Sequence, residues 1–201
     1  TITAYTSLGS DYDNSNDSIT VTVSNVNCQP EGDMSFGDGI HLFQLGDIDN
    51  ASGEGGTGYQ DFTNLSTDLE QGSSNPLVLQ TGYGNQYFRV WIDFNDDFIF
   101  SLDELVVDNY VLGLGGGAGT YTGSTSLVIP ADAALGEHVM RAKTNWNAGV
   151  PDDACEETTY GETEDYMVNI VTSLGIDDLN QNSEFSVISL GNNQFDVNLN
   201  S

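Results

Sequence analysis

Short runs in which apolar and polar residues alternate recur along the chain, separated by clusters of Gly, Asn, Asp and Ser. Alternation with a period of two is the pattern of half-buried β-strands, and almost nothing in the chain has helical periodicity. The strand-like runs lie at 19–23, 39–43, 76–80, 87–92, 126–129, 137–144 and 166–171. Short strands joined by turn-rich segments predict an all-β protein, an antiparallel β-sandwich of the jelly-roll type.

The chain divides into three segments that differ in residue composition and in the spacing of strand-like runs. Residues 1–27 hold one or two strands around a polar turn, and we expect them to be the end of a preceding β domain. Residues 28–171 carry most of the strand-like runs and are expected to form the main domain. Residues 172–201 are a polar linker followed by two short strand-like runs, which predict an incomplete C-terminal sheet module.

The charge of the chain is extreme. Three Lys and Arg residues stand against 31 acidic residues, and the formal net charge is −28. Such a charge repels nucleic acid and anionic lipid, so we expect neither as a partner. Bound cations would relieve the self-repulsion, which suits a secreted protein in calcium-containing surroundings; the alternative is an acidic surface that serves solubility alone. No stretch approaches the roughly 20 apolar residues of a membrane span.

Residues 93–104 place oxygen donors at the spacing of a calcium-binding loop. The predicted ligands are Asp93, Asn95, Asp97, the Ile99 carbonyl and Glu104, which closes the loop. Phe98 stands where such loops usually have glycine. The flanking residues are β-branched and aromatic, so the loop is expected to join two strands. The alternative is an acidic, solvated turn that binds no ion.

The chain has two cysteines, Cys28 and Cys155, which match no zinc spacing. We favour an extracellular disulfide between them over two buried free thiols.

Three acids near residue 164 divide between two faces of a predicted strand. Glu162 and Glu164 share one face and Asp165 lies on the other, because side chains alternate along a strand. Either Glu164 or Asp165 joins the calcium shell, or one of them pairs with Arg141 inside the sandwich; we slightly favour the Arg141 pair. A second ion is a weaker alternative, and its candidate ligands are Asp47, Asp49 and Asp61.

Aromatic residues are candidates for a carbohydrate platform. The candidates are Trp91, Trp146, Tyr83, Tyr87 and Tyr160. Trp146 lies between two asparagines in a segment expected to be a loop, which suits ligand contact. Packing within the protein is the more economical explanation for a single aromatic residue, and both alternatives stay open.

The sequence has no complete catalytic motif. His41 and His138 are outside any His-Glu-x-x-His pattern, and no Gly-x-Ser-x-Gly elbow occurs. Chance pairs of acids are plentiful among 31 carboxylates, so a glycosidase dyad is not favoured. We therefore expect a protein that is not an enzyme.

Several ordered motifs lie between residues 28 and 171. They stand at 46–52, 59–63, 91–95, 104–106, 129–136, 139–143 and 160–166, together with Cys28. This set resembles the GEVED domain, a β-sandwich module of large secreted bacterial proteins. The eponymous pentapeptide stands at 161–165 as Gly-Glu-Thr-Glu-Asp, with Thr163 for the usual valine. The family loop usually has glycine near Phe98, so the resemblance also implies a weakened ion affinity.

The segment from Leu174 onward resembles the start of the C-terminal sorting domain that the type IX secretion system reads, although its Pro-Asn-Pro turn is absent. The resemblance implies export across the outer membrane, to the cell surface or the medium, with the secretion machinery as a partner. Together the patterns predict a non-catalytic, calcium-stabilised accessory or adhesion module, with a cell-surface glycan or protein as a possible ligand. The alternative is a carbohydrate-binding module of a secreted hydrolase.

Overall fold

The computed structural model describes residues 28–53 and 57–173, together with the backbone of four short strands outside them. Strand β1 (Ile2–Tyr5) pairs with β2 (Ser18–Val21), and β12 (Phe185–Gly191) pairs with β13 (Gln194–Leu199); both pairs are antiparallel. The polar turn expected between the first two strands lies outside the described residues. No helix in the described parts of the chain is long and apolar enough to cross a membrane.

Nine strands form the main body. They are β3 (Leu42–Leu45), β4 (Ile48–Asn50), β5 (Tyr59–Glu70), β6 (Ser74–Tyr83), β7 (Gln86–Ile92), β8 (Leu105–Leu112), β9 (Ala118–Val128), β10 (Gly136–Trp146) and β11 (Thr163–Val171). One sheet has the order β5-β11-β10-β7-β8 and the other β4-β3-β6-β9. The prediction of an all-β sandwich is confirmed.

One strand pair differs from the expected antiparallel arrangement. Strand β5 pairs with β11 in parallel, and every other pair in the two sheets is antiparallel. Five strands lie between β5 and β11 along the chain, so no tight turn forces the two into opposite directions. The five-stranded sheet is therefore mixed.

The strands that the apolar pattern missed lie at sheet edges. Strand β5 is the outer strand of one sheet and β9 of the other, and most of their side chains are at least partly exposed. Polar residues at an edge are expected because they discourage pairing with another chain. Apolar alternation is consequently weak there, and the sequence pattern detects only the end of β9.

The core fills the space between the two sheets. Phe43 and Leu79 from one sheet pack with Phe88, Met140 and Val168 from the other in a single buried cluster. These side chains share the inner faces of the two sheets, because successive residues of a strand point to opposite faces. The sandwich is thus held together mainly by burial of apolar side chains.

A second, smaller layer covers the outer face of the five-stranded sheet. Trp91 and Phe100 are buried there with Val150 and Ala154. Cys28 and Cys155 form a disulfide over this layer, with their Cα atoms 5.6 Å apart. The predicted disulfide is confirmed. Because it joins residues 127 apart in sequence, it is expected to stabilise the fold by roughly 4 kcal/mol in the chain-entropy model.

Candidate functional site

The predicted calcium loop joins β7 to β8, as its flanks indicated. Asp93 is only 1% exposed and its carboxylate accepts hydrogen bonds from the N–H groups of Asp97 (3.2 Å) and Phe98 (2.9 Å). The side-chain oxygen of Asn95 accepts from Asp97 N–H at 2.9 Å, and that of Asp97 accepts from Ile99 N–H at 2.8 Å. In the first half of the loop, side-chain oxygen atoms therefore accept hydrogen bonds from backbone N–H groups of the same loop.

Glu104 closes the loop from a short 3-10 turn at Leu102–Glu104. Its Oε2 accepts from Ser101 N–H (2.9 Å) and lies 3.1 Å from Ser101 Oγ. Its Oε1 is buried and has no hydrogen-bond partner among the described residues. A buried carboxylate oxygen without a partner is unfavourable, because the water it lost is not replaced.

The loop backbone takes the conformation that glycine would favour. Phe98 has φ of 63° and Asp96 has φ of 56°, both in the left-handed region. Asp is tolerated there, but a bulky residue such as Phe98 is strained by about 1–3 kcal/mol. With Phe98 in place of glycine, the turn is therefore expected to be less stable.

The predicted ligands do not all converge. In the parts of the chain that the structure describes, no three acidic, histidine or cysteine side chains form a group that could hold a metal ion. The structure brings Asp93, Asn95 and Asp97 into one turn and holds Glu104 separately on Ser101. The candidate second-ion residues Asp49 and Asp61 also have separate local partners, in Gln44 and Thr63.

His138 supports the loop from β10. The ring is 2% exposed and packs edge-on against Phe94 at 5.9 Å. Its Nδ1 lies 3.0 Å from Asp96 Oδ1, and its Nε2 lies 3.0 Å from the Ala134 carbonyl oxygen. Both ring nitrogens are therefore engaged by the protein, as expected for a packing histidine.

Arg141 pairs with Asp165 on the outer face of the five-stranded sheet. Both side chains are buried, and two hydrogen bonds of 2.8 Å join the guanidinium to the carboxylate. Arg141 also donates to the Cys28 carbonyl at 2.7 Å and lies over the Phe100 ring at 4.5 Å. Of the two expected acids, Asp165 is the one that Arg141 holds.

Glu162 and Glu164 face the opposite way, as strand alternation predicted. Glu164 is fully buried, and its Oε2 accepts from the Tyr166 hydroxyl at 2.7 Å. Burial raises the pKa of Glu164 to about 8, and the negative charge of Glu162 adds to the rise. Hydrogen bonds from Ser52 and Tyr166 act in the other direction. Burial, together with the charge of Glu164, raises the pKa of Tyr166 above its ordinary range.

An aromatic cavity lies elsewhere on the molecule. It encloses about 190 Å³ and is lined by Phe36, Asp38, Tyr83, Trp146 and Tyr160. The Trp146 ring is nearly perpendicular to those of Tyr83 and Tyr160, with centroids 6.0 and 5.7 Å away. Its Nε1 is buried and has no hydrogen-bond partner in the described residues. Three residues of the predicted platform therefore meet.

The other two aromatic candidates are placed differently. Trp91 is fully buried in the outer layer, and Tyr87 packs against the same layer. Sequence reasoning missed Phe36 and Asp38, which complete the cavity. Phe36 is 62% exposed. An aromatic residue between a serine and a glycine outside any strand-like run was the signal that could have identified it.

The GEVED domain family model matches residues 87–169, from β7 to near the end of β11. Among solved structures, the seventh ScaB type I cohesin from Pseudobacteroides cellulosolvens is similar at 11% identity, with 56% of this chain and 92% of that chain covered. The TM-score is 0.24, which is too low to support a conclusion about shared function. No curated protein matches the chain. The expected GEVED resemblance is confirmed over the matched residues, and the sorting tail stays a prediction.

The raised pKa of Glu164 generates a pH prediction for the protein in chelator. Between the ordinary value of 4.5 and about 8, the folded state holds a proton that the unfolded state has released. Stability is therefore expected to fall as pH rises from 5 to 8. Melting scans should show a decrease of several degrees in wild type and a flatter profile in Glu164→Gln. An equal slope in both proteins would contradict this account of Glu164. Burial lowers the pKa of Lys143 from 10.5 to about 8, so between these values the folded state holds fewer protons than the unfolded state. Lys143 therefore makes stability rise with pH above 8 and does not affect the trend expected between pH 5 and 8.

Proposed function

We propose that residues 28–171 form a non-catalytic accessory or adhesion module of an extracellular protein, stabilised by calcium in the 93–104 loop. The disulfide and the GEVED match over residues 87–169 support an extracellular setting, because disulfides persist in oxidising compartments. The observation that carries the calcium proposal is Glu104 Oε1, a buried oxygen with no partner at the closing position of the loop.

A hard divalent cation would satisfy that oxygen. Calcium accepts six to eight oxygen ligands in irregular geometry, from carboxylates, amides and backbone carbonyls. Asp93, Asn95 and Asp97 already lie in one turn, so binding requires Glu104 to move towards them. The cation would also reduce the repulsion within a chain of net charge −28.

Within residues 28–53 and 57–173, the contacts of the candidate acid–base residues favour an accessory role. His138 has both ring nitrogens engaged, and Asp165 is committed to Arg141. In the described residues, neither side chain is hydrogen-bonded to a serine, threonine or cysteine that it could activate for acyl transfer. Binding is therefore the activity that we assign to the module.

We assign the export route to residues 172–201, which resemble the start of a type IX sorting domain. Their two short strands pair as the hairpin β12–β13, which agrees with a small sheet module. In this proposal the tail is a sorting signal that the secretion machinery recognises, and the preceding sandwich is exported with it.

Calcium is expected to raise the melting temperature by several degrees. A ligand that binds only the folded state stabilises it by about 2.7 kcal/mol at a hundredfold excess over its dissociation constant. Glu104→Gln should lose much of the difference between calcium and chelator scans. Asp103→Asn removes one charge from an exposed neighbouring residue and should keep that difference. A Glu104→Gln response equal to that of wild type would refute the loop assignment.

Deletion of residues 172–201 should leave the melting temperature of the sandwich nearly unchanged. In the secreting bacterium, the parent protein without this tail should accumulate in the periplasm, because the proposed sorting signal is gone. Cell fractionation with an antibody against the sandwich measures the distribution, and deletion of residues 1–27 is the control. Undiminished secretion of the tail deletion would exclude the sorting role.

A carbohydrate-binding module is the second candidate, and the aromatic cavity favours it. Its volume of about 190 Å³ is below the roughly 300–1,000 Å³ of sites for drug-sized ligands. One sugar ring is a suitable occupant, because Trp146 and Tyr160 offer apolar faces. Trp146 Nε1 adds a buried donor without a partner among the described residues.

A glycan array with calcium present tests this candidate. If the cavity binds sugar, Trp146→Ala should abolish the signal, because it removes one wall and the unpartnered donor. Leu135→Ala, which changes an exposed apolar residue that does not line the cavity, should retain it. Binding that survives Trp146→Ala, or no binding to any glycan, would leave the spacer or adhesion role.

A further inference from the structure

Strand β11 and the residue before it direct two glutamates to the inner side of the five-stranded sheet. Glu162 is 1% exposed and Glu164 is 0% exposed. They are two residues apart and share a face, whereas Asp165 lies on the outer face with Arg141. Two carboxylates are thus buried side by side, away from that guanidinium.

Both glutamates face the segment around residues 40–52. Glu162 Oε2 accepts from Ile40 N–H at 2.7 Å, and Glu162 Oε1 accepts from Gln60. The Ser52 hydroxyl donates to the Ile40 carbonyl at 2.9 Å and lies close enough to Glu164 to favour its charged form. Carboxylate, hydroxyl and carbonyl oxygens from three parts of the chain therefore form one cluster around the two buried glutamates.

One carboxylate oxygen of this cluster has no hydrogen-bond donor among the described residues. Glu164 Oε1 is buried and has no hydrogen-bond partner among the described residues, although Oε2 is bonded to Tyr166. The basic side chains make their hydrogen bonds elsewhere: Arg141 to Asp165, Arg89 to Asp108 and Asp152, and Lys143 to the carbonyls of Ala154 and Glu156. The charge of Glu164 must be met by a proton or by a bound cation.

We propose that Glu162 and Glu164 form a second cation site, which binds calcium between β11 and the 40–52 segment. Glu164 Oε1 is the principal ligand, and Glu162, Ser52 Oγ and the Ile40 carbonyl supply further oxygen atoms. With two carboxylates and neutral oxygens, the site is distinct from a three-acid cluster, of which the described residues contain none. Magnesium suits it less well, because it demands near-ideal octahedral geometry and usually keeps several waters.

Such an ion would fasten the two sheets together at one end of the sandwich. Tyr166 stacks on Phe43 with ring centroids 4.5 Å apart, and its hydroxyl also accepts from Asn50 at 3.0 Å. The ligands thus extend a polar network that already joins β11 to β3 and β4. A cation here would stabilise sheet-to-sheet contact, whereas the 93–104 loop lies between two strands of one sheet.

A proton on Glu164 is the competing account, and substitution separates the two. Glutamine imitates the neutral acid, so Glu164→Gln leaves calcium binding untouched if the site holds only a proton. If the site holds calcium, the same substitution removes its principal ligand. Glu137→Gln on the exposed side of β10 is a matched control for the loss of one carboxylate.

Native mass spectrometry and calorimetric titration with calcium chloride measure the number of bound ions per chain. The titration uses the full chain carrying Glu104→Gln, which disables the loop. We expect one calcium in this background, none after adding Glu164→Gln, and one after adding Glu137→Gln. No calcium in the Glu104→Gln chain, or an unchanged count after Glu164→Gln, would overturn the proposal.

The wild-type chain and a milder variant keep the test decisive if Glu164→Gln does not fold. Wild type should bind one more calcium than Glu104→Gln if both sites exist. Ser52→Ala, which removes a neutral oxygen, should weaken the remaining site of Glu104→Gln at least tenfold. Unchanged affinity in Ser52→Ala would count against the site even if the loop binds calcium as proposed.

Discussion

The buried ion pair between Arg141 and Asp165 connects several separate parts of the structure. Arg141 contacts the Cys28 backbone at the start of the main body and the Phe100 ring within the 93–104 loop. Asp165 also accepts from the Tyr59 hydroxyl of β5 at 2.9 Å. Removal of one partner would leave an uncompensated buried charge, which costs about 3–5 kcal/mol. The disulfide layer, the loop and the mixed sheet edge all depend on this pair.

Alternation along β11 explains why neighbouring acids have different roles. Asp165 points to the outer layer, where Arg141 neutralises it, whereas Glu164 and Tyr166 point to the space between the sheets. The sequence of residues 160–166 fixes this division once the strand is formed. Which face would look into the sandwich depends on contacts with distant strands, so the pattern alone did not show that Glu164 is the buried acid without a basic partner.

Features that depend on residue type and spacing were predictable from the sequence, whereas most features formed by contact between distant segments were not. The strand runs, the oxygen donors of residues 93–104 and the disulfide partners follow from composition and spacing. The left-handed backbone of Phe98 does not, because a bulky residue normally avoids it. The cavity around Trp146 is also hidden in the sequence, since its walls come from segments near residues 36, 83, 146 and 160. Parallel pairing of β5 with β11 has the same cause, a contact between distant segments.

The distribution of basic residues links the acidic composition to the proposed ion sites. Arg89, Arg141 and Lys143, the entire basic complement besides histidine, all lie on the outer face of the five-stranded sheet. The buried position of Lys143 is costly for its charged form, and burial lowers its pKa to about 8. Glu164 and Glu104 lie outside this positively charged layer, and each keeps one buried carboxylate oxygen without a hydrogen-bond partner in the described residues. Because the basic groups of this acidic chain are gathered on one face, a proton or one of the proposed cations would have to compensate the unpartnered oxygens of Glu164 and Glu104.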